Sequence, residues 1–176
     1  MLQTLLIFIL AFIAVLLLIA FFMSKETVIT SEITINRPKD VVFDFLKHIT
    51  NQKDYSVWIM ADPNVKMEYS GTDGEIGFVS SWVSEMKNVG VGAQEIKAIK
   101  DGEQIDMEIR FEKPFKGISQ AITKVESIDA NSTKYSNIFM STTPFPMNLM
   151  SAMMKSMLQR DMDKTSMNLK NLLEKS

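Results

Sequence analysis

The sequence predicts an α+β chain: a curved antiparallel sheet of about six to seven strands wrapped on a long C-terminal helix, preceded by a single transmembrane helix. Three observations carry that prediction. Leu5 to Met23 are 19 consecutive apolar residues. Strand-like stretches with turn signals between them recur from Val65 to Thr142. Met147 to Lys175 carries an apolar stripe at helical spacing.

The N-terminal segment comes first. A helix of that length, at ~1.5 Å per residue, spans roughly 28 Å and matches the ~30 Å hydrocarbon core. A secretory signal peptide needs a basic start, a shorter apolar run and small residues before its cut. Here Met1 to Thr4 carry no basic side chain, and the exit Phe21-Phe22-Met23-Ser24-Lys25 has no A-x-A pattern. Residues 1–24 therefore read as an anchor and 25–176 as one soluble domain. Lys25, Arg37 and Lys39 follow the span and only the α-amino group precedes it. The positive-inside bias then places the soluble part in the cytoplasm.

Thr27 to Ile35 is β-branched and reads as a strand. Asn36 suits an N-cap, with Pro38 in the turn behind it. Val42, Phe45, Leu46 and Ile49 then follow the i, i+3, i+4, i+7 spacing of a one-sided helix, with His48 near its end. Asn51 to Asn64 is polar and irregular around Tyr55, Val57, Trp58, Ile59 and Met60, a short helix and a loop closed by Asp62-Pro63.

The strand-like stretches are Val65–Tyr69, Gly77–Met86, Val91–Ile99, Gln104–Glu112, Lys116–Ile128 and Thr133–Thr142. Asp101-Gly102 signals a two-residue hairpin. In Gln104–Glu112 the apolar Ile105, Met107, Ile109 and Phe111 alternate with Gln104, Asp106, Glu108, Arg110 and Glu112. A sheet with one wet and one covered face is antiparallel. The last segment enters through Pro144 and Pro146, and its stripe comprises Met150, Met154, Met157, Leu158, Met162, Leu169, Leu172 and Leu173. One domain with this element order is α+β.

Composition excludes several functions. The 176 residues hold 19 Lys+Arg against 21 Asp+Glu, a formal charge of −2, which argues against a nucleic-acid binder. The absence of cysteine excludes a thiolate nucleophile, a Cys-ligated zinc and an iron–sulfur cluster. A single His excludes any site needing two imidazoles. No metal cluster and no cofactor motif is visible. Gly90-Val91-Gly92 lacks the third glycine and the helix of a dinucleotide fingerprint and reads as a turn or bulge.

Several strings, in order, resemble the SRPBCC superfamily (START, Bet v 1-like, polyketide cyclase/dehydratase), the helix-grip fold. They are Ile35-Asn36-Arg37-Pro38-Lys39-Asp40-Val41-Val42-Phe43, then Trp58 with Asp62-Pro63, Gly77 leading to Trp82, and Gly90-Val91-Gly92 with Gln94 and Ile96. Phe111-Glu112-Lys113-Pro114-Phe115 and the final Asp161-Met162-Asp163-Lys164 and Asn168-Leu169-Lys170-Asn171-Leu172 complete the series, covering residues 27–175. Tyr135 stands where a tryptophan is often seen, and Thr165-Ser166 where a glycine is usual. The resemblance carries no catalytic set. It implies a deep, mostly apolar cavity between sheet and terminal helix that holds a lipid-like or aromatic ligand.

Strand alternation puts Phe78, Ser80, Trp82 and Ser84 on one face of their strand, and Thr133, Tyr135, Asn137 and Phe139 on one face of the last strand. Hydroxyls among aromatics suit a pocket with a few orienting polar groups. The expected ligand-binding residues are Trp58, Tyr69, Phe78, Trp82, Phe111, Tyr135, Phe139, Met150, Met154 and Met157. Seven of the 14 methionines fall between Met147 and Met167, where thioethers can repack around varied apolar ligands, replace leucine in a core, or touch the bilayer. Asp106, Glu108 and Glu112 sit on the expected wet face, and Ser80, Ser81 and Ser84 have no His/Asp partner at a telling spacing, so no catalytic residue is assigned.

The sequence thus points to a membrane-anchored domain that binds a hydrophobic small molecule or lipid. Two alternatives accompany it. One is a cyclase/dehydratase-like enzyme using Tyr135 or Tyr69 as an acid. The other is a non-catalytic interaction module, like the Hsp90-activator branch, with a filled interior.

Overall fold

The computed structural model describes residues 1–175. Helix α1 (Leu2–Phe22) is followed at once by strand β1 (Glu26–Ile35). Next come α2 (Lys39–Lys47), a 3-10 turn (Ile49–Asp54) and α3 (Val57–Ala61). Six further strands follow: β2 (Lys66–Ser70), β3 (Val79–Val83), β4 (Val91–Lys100), β5 (Gln104–Lys113), β6 (Gly117–Asp129) and β7 (Ser132–Thr142). Helix α4 (Asn148–Lys175) ends the chain. The strands form one antiparallel sheet in the order β1-β7-β6-β5-β4-β3-β2. This is the helix-grip arrangement expected from the sequence.

Four local expectations change. Asn36 does not cap α2: Pro38 is the N-cap, extended at ψ 144°, and its carbonyl accepts the Val42 N–H. A proline disfavours helical geometry in the residue before it, so Arg37 is a poor first helical residue behind an Asn36 cap. Ile49 lies beyond α2, because His48 turns extended (ψ 98°) and ends the helix. Its spacing still serves the core, since Ile49 is buried. The β4–β5 connection is three residues, Asp101–Glu103, with Gly102 at φ +68°. The third strand is also shorter than Gly77–Met86, spanning Val79–Val83 before Ser84 turns into the Met86–Gly90 loop.

Helix α4 runs alongside β1. Gln159 donates to the Thr30 carbonyl at 2.9 Å and Lys170 to the Thr34 carbonyl at 2.6 Å, while the Ser31 and Ser166 hydroxyls meet at 2.8 Å. Those contacts cover carbonyls along the outer edge of β1, which would otherwise be free to pair with another chain. At the far end Arg37 donates to the Leu173 carbonyl, and the Glu174 carboxylate accepts the Asn36 N–H. Leu169 and Leu173 enter one core with Ile35, Val42, Leu46, Ile96, Ile105, Val125 and Tyr135.

The two halves of α4 differ. Met162, Thr165, Ser166, Leu169 and Leu173 are buried. Ala152 to Met157, by contrast, are six consecutive exposed residues. The start of this helix is joined to the end of α1. The Asn148 side chain donates to the Ala20 carbonyl (2.6 Å) and the Met23 carbonyl (3.2 Å). Phe145 and Phe21 meet edge to face at 6.5 Å.

Candidate functional site: the concave face of the sheet

Strand register fixes which side chains face α4. Reading across neighbouring strands from the α1 end, the first row is Trp82, Gly92 and Phe111. The second is Ser80, Gln94, Ile109, Ser119 and Ser141. The third is Phe78, Ile96, Met107, Ala121, Phe139 and Ile29. A fourth holds Thr123, Asn137 and Ser31, and a fifth Val125, Tyr135 and Ile33. Apolar rows therefore alternate with rows of hydroxyls and amides. None of these positions is charged.

Burial divides the face in two. Far from α1, Ile35, Ile105, Val125, Tyr135, Leu169 and Leu173 are all buried, so this half is closed. Nearer α1, Trp82, Ile109, Phe111, Phe139 and Ser141 stay half-buried. The exposed first half of α4 does not seal that region. The α1 end of the concave face is thus the less completely covered one, although Ser80, Gln94 and Ser119 in its second row are buried. Two depressions of about 390 and 300 Å³ are lined by residues outside α4, one by Lys39, Lys100 and Lys124, the other by Val28, Ile118 and Met140 together with Ser119 and Ser141 of the second row.

The polar rows are only partly satisfied. Gln94 donates to Gln52 at 2.7 Å. Ser80 is 1% exposed, and its hydroxyl has no hydrogen-bond partner. The Asn137 side-chain oxygen is likewise buried and unpartnered. An unpaired buried polar group costs about 1–3 kcal/mol. Burial pushes the phenols of Tyr55 and Tyr135 above their ordinary range, Tyr135 against the opposing pull of hydrogen bonds from Asn137 and Ser166. Both are therefore neutral hydrogen-bonding groups at neutral pH.

The expected site residues are distributed unevenly. Phe78, Trp82, Phe111, Tyr135 and Phe139 share the concave face. Trp82 and Phe111 meet edge to face at 6.1 Å across the Gly92 gap. Tyr69 stacks on Phe78 at 6.0 Å but is 46% exposed at the sheet margin. Trp58 lies on α3, in the helical layer rather than on the sheet. Met150, Met154 and Met157 are exposed on the first half of α4. Gln94, Ser119 and Thr123 are additions that the sequence reading did not single out. The period-two pattern Ser119, Ala121, Thr123, Val125 was the available signal.

Groups suited to acid–base chemistry stand aside. Asp62 is the buried carboxylate among the described residues, and its oxygens accept the Asn64 N–H and the Ser84 hydroxyl. Those bonds hold the corner between α3 and β2. His48 lies at the end of α2, 3.6 Å from Asp73. On the convex face Glu95 accepts from Arg110 and Lys97, which holds its carboxyl below the usual range. No group of three or more His, Cys, Asp or Glu among the described residues is placed to hold a metal ion.

Comparison with known proteins places this geometry. Residues 26–174 match the family described as polyketide cyclase / dehydrase and lipid transport. A comparison with curated proteins finds no match. Among solved structures, norcoclaurine synthase from Thalictrum flavum, in complex with dopamine and hydroxybenzaldehyde, aligns at TM-score 0.60 and 13% identity over 84% of this chain and 86% of its own. Protein MLL2253 from Mesorhizobium loti aligns at 0.61 and 13% over 85% and 98%. Protein CV1439 from Chromobacterium violaceum aligns at 0.59 and 12% over 84% and 97%. At these identities the likeness is one of fold.

Proposed function

The chain belongs to the polyketide cyclase / dehydrase and lipid transport family, and from that premise we propose that it is a membrane-tethered binder of a hydrophobic small molecule or lipid. Residues 1–24 are the tether and 25–176 the binding domain. The carrying observation is the concave face: apolar and polar rows alternate, with Trp82, Ile109, Phe111 and Phe139 only half-buried at the α1 end, and we read that end as the mouth of a cleft. Helix α1 supports the tether, being long and apolar enough to cross a bilayer, with a mean hydropathy of 3.4.

The chemistry of the face narrows the ligand. Its rows hold hydroxyls, amides and neutral phenols but no charge. A buried carboxylate or phosphate without a countercharge would be strongly disfavoured. The fitting ligand is an amphiphile with a neutral, hydrogen-bonding head. That head reaches Asn137 and Ser80, and the apolar remainder lies along Ile109, Phe111, Phe139 and Trp82 toward the cleft mouth. Burying ~300 Å² of apolar surface at ~25 cal/mol per Å² gains about 7 kcal/mol before association costs of several kcal/mol. Micromolar binding then needs no catalytic group.

The test is mass spectrometry of an organic extract from the purified 25–176 segment, with titration of fluorescent neutral and acidic lipid probes. Co-purification of a neutral apolar compound, and preference for the uncharged probe, are expected. If nothing apolar co-purifies and neither probe binds, the reading fails.

A further inference from the structure

The exposed half of α4 is unusual for a long helix that seals a core. Met153 is 77% exposed, more than Met60 at 53% or Met167 at 48%. From Thr142 to Arg160 the chain carries no acidic side chain, while Lys155 and Arg160 are basic, in a protein whose net charge is −2. Phe145, Met147, Leu149, Met150, Met153 and Met154 supply the apolar surface. Apolar side chains beside cations and without anions are the chemistry of a lipid interface.

The joint to α1 fixes where this segment sits. Asn148 is fully buried and donates to the carbonyls of Ala20 and Met23, within the last turn of α1 and its cap. The Thr143 N–H donates to the Lys25 carbonyl at 2.8 Å. Helix α4 therefore starts at the level where α1 leaves the hydrocarbon. Even upright, a helix climbs only about 1.5 Å per residue, so Met150, Met153 and Met154 stay within about 9 Å of Asn148. The headgroup layer is itself roughly 5–8 Å deep on each side.

The β5–β6 turn lies at the same end of the sheet. There Phe115 is 56% exposed between Lys113 and Lys116. Ile118, next along β6, is 63% exposed.

We propose that the first two turns of α4, with Phe145, form a second lipid contact that rests in the interface of the bilayer α1 enters. The contact brings the open mouth of the cleft against lipid. It rests on the tether reading given above, and the occupant is the membrane itself.

Native methionines report on it without any substitution. The full chain is reconstituted in phosphatidylcholine–phosphatidylglycerol vesicles and treated briefly with hydrogen peroxide, and sulfoxide at each methionine is quantified by mass spectrometry. Met153 is expected to oxidise more slowly than Met60 and Met167, reversing the order of their exposures. Protection must persist as the lipid-to-protein ratio is raised. If Met153 oxidises fastest, or if its protection disappears on dilution into lipid as a contact between two copies would, the proposal is overturned. Alkaline carbonate extraction of the same vesicles judges the tether separately. Release of the protein would remove both readings, whereas retention with a fast Met153 would remove only this one.

Discussion

A methyl group placed on Gly92 tests how tightly the tip of the cleft is built. A Cβ there would lie 2.6 Å from the Arg110 carbonyl oxygen and 2.6 Å from Cζ2 of Trp82. Ordinary carbon contacts start near 3.5 Å, so each neighbour is about 0.9 Å too close. One of them is backbone and cannot swing away. The other is an indole that donates to the Val89 carbonyl at 3.2 Å and meets the Phe111 ring. Overpacking of this kind costs about 1–3 kcal/mol. For a domain of this size that lowers Tm by roughly 2–12 °C. Thermal unfolding of Gly92→Ala followed by tryptophan emission measures it. Trp82 is one of two tryptophans, so its displacement also changes the folded-state spectrum. An unchanged Tm and spectrum would show that the Trp82 ring does not rest on β4, and the account of the cleft's tip would be wrong.

Other substitutions separate stability from binding. Ser80→Ala removes a hydroxyl without a partner; Tm should hold or rise, while affinity for a neutral lipid probe falls by up to about tenfold, the worth of one hydrogen bond. Leu169→Ala empties a fully buried site and should cost about 2–5 kcal/mol in chemical denaturation. Tyr55 and Tyr135 are held above the ordinary phenol value of 10.0. Their contribution to stability is whole below that pH and is lost as pH climbs toward the folded-state values. Denaturation midpoints should therefore fall above about pH 10, and the fall should shrink in Tyr135→Phe.

The order of elements was legible because each had a local signal. The alternation of Ile105, Met107, Ile109 and Phe111 marks β5, and the Leu169–Leu173 pair marks the buried half of α4. Boundaries set by backbone geometry were less visible: nothing in the type of residue 36 shows that Pro38 will take over the cap. The concave face was half legible. Alternation grouped Phe78 with Ser80 and Tyr135 with Asn137, but only register shows that Ser80, Gln94 and Ser119 share a row. The methionine stripe left its surroundings open for a related reason. Its spacing is the same whether a helix faces a core or a lipid, and the exposure of Met150 and Met153 depends on where α4 departs from the sheet.

The pairing of β1 with β7 has a consequence for how the protein is made. Ile35 leaves the ribosome 97 residues before the first residue of its partner strand. At ordinary elongation rates β1 waits roughly 5–20 s without its neighbour. Along one side of the nascent strand Glu26, Thr30, Glu32 and Thr34, with Val28 as the one apolar member, give it a largely hydrophilic flank during the delay.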